Sequence, residues 1–196
     1  MAGADTKDRI LDAAERCFAE AGFNGTSLRT VTARAGVNLA AVHYHFGSKD
    51  GLFQAVFCRR LGPLNEERLL LLRECEARAG RGAPHLEGVL EAFVTPVINL
   101  AHDPSRGGPS FVRLVGRLYS EPGERWKEIF LSQFQEVKQR FGEALGRALP
   151  DLPQAALFWR MHFAVGALAQ TLLDTHRLDT ISGGLCDERA PAPLPY

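Results

Sequence analysis

The sequence lacks the features that mark membrane and secreted proteins. No apolar run among its 196 residues reaches the roughly 18 residues that a membrane-spanning helix needs. The first ten residues, MAGADTKDRI, do not show the basic and then apolar order of a secretory signal. These absences predict a cytoplasmic protein that has no membrane partner.

Cysteine is scarce, and its spacing disfavours the common cysteine-based sites. The chain contains no Cys-x-x-Cys pair and no histidine placed at zinc-ligand spacing from a cysteine. His43 and His45 are two residues apart and would point to different sides of a helix, which disfavours a shared metal. We therefore predict no metal site and reduced thiols that pack as small apolar side chains. The cysteines are Cys17, Cys58, Cys75 and Cys186.

Signatures of catalysis are also missing. The sequence has no glycine-rich phosphate loop after a strand, no serine or cysteine nucleophile elbow and no paired-carboxylate pattern. We predict that the protein is not an enzyme and uses no cofactor.

Neither sign of charge is in excess over the whole chain, which has 23 basic and 23 acidic residues. Residues 1–60 contain eight lysines and arginines against six acidic residues, so the N-terminal part has a net charge of +2. A local basic patch matters more for nucleic-acid binding than such a sum. The charge distribution therefore distinguishes the two ends of the chain without assigning a partner.

The spacing of apolar residues predicts an all-α protein. They recur every three or four residues almost throughout the chain, which is the pattern of helices with one buried face. We predict a first helix that Thr6 caps and Gly22 ends. Its buried stripe is Ile10, Leu11, Ala14, Cys17, Phe18 and Ala21.

Two short helices with a glycine turn between them follow the first helix. Thr26 is the predicted cap of the second helix, which runs through SLRTVTARA to Gly36. Asn38 is the predicted cap of the third, LAAVHYHF, which Gly47 ends. Ser48 then caps a fourth helix. This order predicts a helix-turn-helix, whose second helix enters the major groove of DNA.

The predicted third helix has an outer face suited to DNA. Val42 and Phe46 would be its buried stripe, and its small residues would allow close approach to base edges and thymine methyl groups. Tyr44 and His45 would reach phosphates or bases, and Lys49 would add charge where helix N–H groups already favour an anion. The predicted outward residues are Leu39, Ala40, Ala41, His43, Tyr44 and His45.

A family resemblance rests on the same residues. The stretch RILDAAERCFAEAGFNGTSLRTVTARAGVNLAAVHYHFGSKDGLFQAVF resembles the DNA-binding domain of the tetracycline-repressor (TetR) family across about residues 9–57, because caps, glycines and apolar positions agree together. The resemblance implies an all-helical homodimer in which a C-terminal domain binds a small molecule and controls the helix-turn-helix. The candidate DNA contacts are Thr26, Ser27, Arg29, Asn38, Leu39, Ala40, Ala41, His43, Tyr44, His45 and Lys49.

One departure from the family pattern concerns His43, where the family usually has tyrosine. A phosphate contact at this position would be weaker or sensitive to pH, because histidine changes its charge near neutral pH.

The remaining sequence predicts a second, larger helical unit. The fourth helix would extend past a break or kink at Gly62-Pro63, and further helices would cover Leu86 to Ala101 and Phe111 to Tyr119. A long helix would run from about Glu124 to Leu149, and Asp151 and Pro153 would open the last one. We expect a DNA-binding domain at 1–50, an effector-binding and dimerisation domain at 51–182 and an irregular tail at 183–196.

The second unit is rich in aromatic residues that could wall an apolar cavity between helices. For any single aromatic residue, a place in an ordinary core is the more common outcome. Arg113, Arg117 or His162 could anchor a carboxylate or phosphate at the mouth of such a cavity. The candidate effector-pocket residues are Phe93, Phe111, Arg113, Arg117, Phe130, Phe134, Phe158 and His162.

Three stretches, NLAAVHYHFGSKDGLFQAVFCRRLGP, FVRLVGRL and LFWRMHFAVGA, look like the acyl-chain-responsive branch of the family, which regulates fatty-acid metabolism. The resemblance implies a repressor that leaves a palindromic operator when a hydrophobic effector, such as a long-chain fatty acid or acyl-coenzyme A, binds. A multidrug sensor that represses an efflux pump is the alternative. A helical interaction module without DNA binding is a more remote one.

The end of the chain departs from the family. TetR-like proteins dimerise through their last two long helices, but HRLDTISGGLCDERAPAPLPY contains Gly183-Gly184 and three late prolines, which exclude a helix there. We expect that either the partner helix is absent, so that the helix from Leu157 to Leu172 forms the dimer with a smaller area, or the sequence is truncated relative to its relatives.

Overall fold

The computed structural model describes residues 2–120, 125–173 and 180–185. Within these ranges the chain is helical and contains no strand, which confirms the predicted all-α fold. No helix in the described part is long and apolar enough to cross a bilayer. The chain forms two compact units, residues 1–150 and 151–196. The helices are α1 (Ala2–Gly25), α2 (Leu28–Ala35), α3 (Leu39–Phe46), α4 (Lys49–Ala79), α5 (Leu86–Ala101), α6 (Gly108–Ser120), α7 (Arg125–Ser132), α8 (Gln135–Ala148) and α9 (Gln154–Leu173).

The first helix is longer than its sequence predicts. It begins at Ala2, so Thr6 lies within it, and it resumes after Gly22 to end at Gly25. Gly22 has φ 71° and ψ −178°, a conformation open to glycine and strained for other residues. The predicted stripe is buried apart from Ala21, which is exposed.

Aromatic side chains join the N-terminal helices to the helices that follow. The ring of Phe53 on α4 meets Phe18 and Phe23 of α1 edge-on, each at 4.9 Å between centroids. One turn later, Phe57 contacts Phe111 of α6 at 6.0 Å and Phe130 of α7 at 5.3 Å. The core therefore continues from α1 through α4 into α6 and α7. The domain boundary predicted at residue 50 falls in the first turn of α4 and stays a prediction.

The chain does not break at Gly62-Pro63, because α4 continues through both residues to Ala79, whereas a kink there stays a prediction. Pro63 is exposed, and its missing N–H leaves one carbonyl of the preceding turn without a helical donor. The helix predicted from Leu86 to Ala101 has these bounds in the structure.

The single helix predicted from Glu124 to Leu149 is also wrong, and Glu124 lies outside the described residues. The chain leaves the helix at Ser132 and re-enters it at Gln135. The side-chain amide of Asn65 on α4 donates to the Gln133 carbonyl at 2.9 Å, which replaces the hydrogen bond lost at the break. No glycine or proline marks this position, so a tertiary contact stabilises a break that the local sequence does not indicate.

The second unit presents apolar side chains on α9. Trp159 and Phe163 are 62% and 65% exposed and stack on one another at 5.8 Å between centroids. Phe158 and Val165 of the same helix are also exposed. Gly183 and Gly184 have positive φ angles, and residues 186–196 of the predicted tail lie outside the described residues.

A buried ion-pair cluster ties α1 to α4. Glu15 of α1 is 2% exposed and accepts hydrogen bonds from Arg59 and Arg60 of α4, the latter at 2.9 Å from Nη2. Arg60 Nη1 also donates to the Arg106 carbonyl at 2.6 Å, in the loop before α6. One carboxylate thus holds two guanidinium groups at the meeting point of α1, α4 and this loop.

We expect Glu15→Gln to lower the free energy of unfolding by about 3 kcal/mol, because it removes the counter-charge of Arg60 and leaves Arg59 with Asp12 as its remaining carboxylate partner. Urea denaturation followed by circular dichroism measures the change. The matched control is Glu20→Gln, which removes an exposed carboxylate of the same helix from its ion pair with Arg34 and should change stability little. Equal losses in the two variants would contradict this account.

Candidate nucleic-acid interface

The turn between α2 and α3 is fixed by backbone geometry and by one arginine of α1. Gly36 ends α2 at φ 64°, and its amide donates to the carbonyls of Ala33 and Thr32. Arg9 Nη2 donates to the carbonyls of Ala35 and Gly36 at 2.6 and 3.2 Å. These contacts satisfy the carboxyl end of α2 and set the direction in which the chain enters α3.

The predicted limits of α3 are confirmed. The Asn38 side chain accepts from the Ala41 amide at 2.9 Å, and Gly47 follows the last helical residue. Val42 is fully buried and Phe46 is partly buried, as the sequence predicts. These two side chains anchor α3 and determine which of its faces is exposed.

The exposed face of α3 presents a large aromatic side chain to solvent. Tyr44 is 85% exposed, and its ring contacts that of His45 at 5.0 Å. Leu39, Ala40 and His43 are also exposed, while Ala41 and His45 are half-buried. A tyrosine this exposed has its hydroxyl and ring free for contact with phosphates or bases.

His43 has a structural contact that the sequence does not indicate. Its Nδ1 lies 2.9 Å from the Gly47 carbonyl, and a carbonyl can only accept, so Nδ1 must be the donor. The side chain therefore satisfies a carbonyl at the end of α3. Its Nε2 is left as the ring nitrogen for any contact with DNA, which stays a prediction.

The start of α4 brings Lys49 next to this helix-turn-helix. Ser48 caps α4, as predicted, by accepting from the Gly51 amide at 3.0 Å. A Cβ on Gly51 would lie 2.2 Å from the Phe46 carbonyl oxygen, so only glycine allows α4 to begin this close to α3. The Lys49 ammonium lies 4.4 Å from the centre of the Phe23 ring, which holds the charge near the amino end of α4.

Thr26 requires a correction. It is buried, and its hydroxyl donates to the carbonyls of Cys17 and Gly22 at 3.0 and 2.7 Å. The capping role predicted for Thr26 is therefore wrong, because its hydroxyl closes the kink of α1, and its contact with DNA stays a prediction. Ser27 is the cap of α2, with its Oγ accepting from the Thr30 amide at 3.0 Å.

Arg29 lies in the first turn of α2 and is exposed. Among the described residues, its guanidinium has no hydrogen-bonding or ion-pair partner. Together with Lys49 it supplies positive charge near α3, as contact with a phosphate backbone requires.

Among the described residues of the first unit, the candidate effector-pocket aromatics pack in two separate groups. Phe111, Phe130 and Phe134 belong to the core around Phe57, and the rings of Phe130 and Phe134 lie 5.2 Å apart. Phe93 contacts Phe141 instead, at 5.2 Å. Within each group the rings meet edge-on, which brings them to van der Waals distance.

The predicted polar anchors of the pocket are dispersed. Arg113 is exposed, and its Nη2 donates to the Ser110 hydroxyl at 3.1 Å, while the side chain of Arg117 lies outside the described residues. Phe158 and His162 are exposed residues of α9, in the second unit. Their contact with an effector stays a prediction.

Two family models match the chain. Residues 10–56 match "Bacterial regulatory proteins, tetR family", and residues 91–194 match "Tetracyclin repressor-like, C-terminal domain". The chain belongs to the TetR family of transcriptional regulators. The helices α2 and α3 lie inside the first match, which confirms the helix-turn-helix.

Relatives of known name are regulators as well. The chain is 22% identical over 156 residues to the HTH-type transcriptional regulator UidR of Escherichia coli, covering 76% of this chain and 72% of that protein. The solved structure of SmeT, the repressor of the Stenotrophomonas maltophilia multidrug efflux pump SmeDEF, is 26% identical and covers 92% of this chain and 87% of its own, with a TM-score of 0.63. The fatty acid degradation regulator FadR from Bacillus halodurans is 18% identical over 89% of this chain and 86% of its own, with a TM-score of 0.62, and shows the fold alone.

We expect Lys49→Ala to weaken binding to every DNA sequence and to reduce the salt dependence of binding by about one unit of slope, because it removes one phosphate contact. Tyr44→Ala and Arg29→Ala should also change the preference among operator variants. Fluorescence anisotropy over a salt series measures both effects.

The control is Arg73→Ala, an exposed arginine farther along α4, which should leave binding unchanged. Operator affinity and preference that survive Tyr44→Ala and Arg29→Ala together would refute the assignment of the interface.

Proposed function

We propose that this protein is a one-component repressor that binds a palindromic operator as a homodimer and leaves it when a hydrophobic effector binds. The observation that supports this most directly is the exposed face of α3. Tyr44 and Leu39 lie in solvent on a helix that Val42 anchors and that Asn38 and Gly47 delimit. A helix held this firmly, with apolar and aromatic side chains outward, suits the major groove.

A homodimer follows from the small size of the DNA-reading element. The eight residues of α3 offer few base contacts, whereas specific sites usually involve two half-sites about 34 to 36 Å apart or a multiple of that distance. The apolar side chains on α9 support this helix as the dimer contact. Trp159 and Phe163 stack on each other and expose most of their surface. Exposure of this apolar surface to water is unfavourable in free energy, and a partner helix would bury it.

We expect Phe163→Glu to give folded monomers with at least tenfold weaker operator binding, because a charge replaces the apolar contact. Sedimentation velocity measures the oligomeric state, and anisotropy measures DNA binding. Thr171→Glu, on the same helix at an exposed polar position that faces away from Trp159 and Phe163, is the control that adds the same charge. A wild-type monomer at micromolar concentration that binds its operator with one protomer per site would contradict the dimer.

The aromatic core supports an apolar effector. Rings from α4, α6 and α7 meet around Phe57, and a ligand that separated them would move α4, which begins at Lys49. Switching between 1% and 99% occupancy of one state needs about 5.5 kcal/mol of differential affinity. Each buried methylene contributes about 0.8 kcal/mol, so an acyl chain of about a dozen carbons or more supplies this even after ordering costs.

The likeness to SmeT supports a second candidate, a drug-sensing repressor of an efflux pump. That protein is the repressor of a multidrug efflux pump and has also been solved in complex with triclosan. Its 26% identity over 92% of this chain exceeds the identity to FadR.

We expect long fatty acids or their coenzyme A esters to release operator-bound protein, and short acids to fail, because only long chains bury enough apolar surface. A titration with acids of increasing length, followed by anisotropy, measures release. Phe130→Ala should weaken the response, because Phe130 contacts Phe57 and Phe134, whereas Leu131→Ala, at the exposed neighbouring position, should not. Release by planar cationic drugs, with every acyl ligand inactive, would favour the drug sensor instead.

A further inference from the structure

Arg68 is a buried cation in the middle of α4. Its side chain is 3% exposed. Its Nε donates to the Phe93 carbonyl of α5 at 2.9 Å, and its Nη1 approaches Asn65 Oδ1 at 3.4 Å. The guanidinium carbon lies 4.3 Å from the centre of the Phe93 ring. No carboxylate among the described residues pairs with it.

The hydrogen bonds of Arg68 do not explain its charge. A neutral amide side chain could donate to the Phe93 carbonyl equally well. The guanidinium has five N–H groups, and the contacts above use two of them, one of which is long. Burial lowers the pKa of Arg68 to about 10 by desolvation, so the group is still a cation at neutral pH. A buried charge is normally paired, and within the described residues this one has no opposite charge.

A second buried charge, found among the described residues of the first unit, shows the contrast. Glu15 is equally enclosed and has two guanidinium partners on α4. Arg68 has the face of an aromatic ring, which carries negative charge density but attracts a cation more weakly than a carboxylate does. The Phe93 ring thus occupies a position that an anion would occupy more favourably.

We propose that Arg68 binds the carboxylate of an anionic amphiphile whose apolar chain extends among the neighbouring aromatic rings. This inference rests on the proposed effector-dependent release and adds the charge of the effector and its anchor. The head group would displace the Phe93 ring from the guanidinium and accept from the N–H groups that lack a partner. The chain would extend toward Phe141, which contacts Phe93.

The position of Arg68 connects such a ligand to the DNA interface. Asn65, three residues earlier, contacts Arg68 and holds the Gln133 carbonyl at the break between α7 and α8. Lys49 lies nineteen residues before Arg68 on the same helix, or roughly 28 Å along its axis at 1.5 Å per residue. A head group that moves Arg68 therefore acts on the helix that begins at the helix-turn-helix.

The test compares head groups at constant chain length. Full-length protein is titrated with palmitate, hexadecanol and hexadecyltrimethylammonium, all below their micelle concentrations, and binding is followed by calorimetry and thermal unfolding. We expect palmitate to bind the wild type at least tenfold more tightly than hexadecanol. In Arg68→Gln, which keeps a donor for the Phe93 carbonyl, the two affinities should become equal. Arg68→Lys should keep part of the preference, and Arg73→Gln, which removes an exposed arginine of α4, should keep all of it.

Three results would overturn the assignment: an undiminished preference for palmitate in Arg68→Gln, equal binding of palmitate and hexadecanol by the wild type, or no binding of palmitate at all. The last two results are obtained with the wild type alone, so they would overturn the proposal even if Arg68→Gln does not fold. Operator binding without any amphiphile is measured on the same samples. Absence of operator binding in the wild type would refute the proposed DNA-binding function. The head-group preference would still test the role of Arg68.

Discussion

The continuity of α4 is the constraint on which the other features of this molecule depend. Its 31 residues extend about 46 Å at 1.5 Å per residue. Its first turn meets the helix-turn-helix, its second and third turns bear Phe53 and Phe57, and its middle bears Arg59, Arg60, Asn65 and Arg68. Both the N-terminal helices and the central helices pack against α4. The helix continues through Pro63, although this residue cannot donate a backbone hydrogen bond.

The aromatic core connects this continuous helix to the helices that pack around it. Phe53 packs against α1 while Phe57, one turn later, packs against α6 and α7. Close-packed interiors adopt discrete arrangements and do not deform gradually. A change in the packing around Phe57 would therefore move the start of α4. The cluster of Glu15, Arg59 and Arg60 adds a charged contact between the same helices, so a movement of α4 must either carry α1 with it or separate buried charges.

The sequence predicts the helix-turn-helix well because its signals are local. Asn38 and Ser48 cap their helices through their own side chains, and Gly36 and Gly47 supply the positive φ angles that end α2 and α3. The break between α7 and α8 could not be predicted in this way, since Asn65 stabilises it from a distance of 68 residues in the chain. The capping role predicted for Thr26 is wrong for a related reason. A threonine before a helix is a common cap, but here its neighbour Ser27 has that role and Thr26 closes the kink of α1.

The candidate effector residues show where sequence patterns stop being informative. Aromatic residues at helical spacing indicate a buried region, but they do not distinguish a filled core from the wall of a cavity, since both need the same side chains. The position and partners of charged side chains distinguish a filled core from a ligand site better. Arg113 is exposed and bonds to a neighbouring serine, whereas Arg68 sits beside Phe93 with a charge that its hydrogen bonds do not require. In the sequence Arg68 is one of several charged residues in NEERLLLLRE, and only its burial separates it from Arg73. An apolar interior favours neutral residues at such a position. The packing around Arg68 therefore does not explain why this residue is charged, whereas binding of an anionic ligand would explain it.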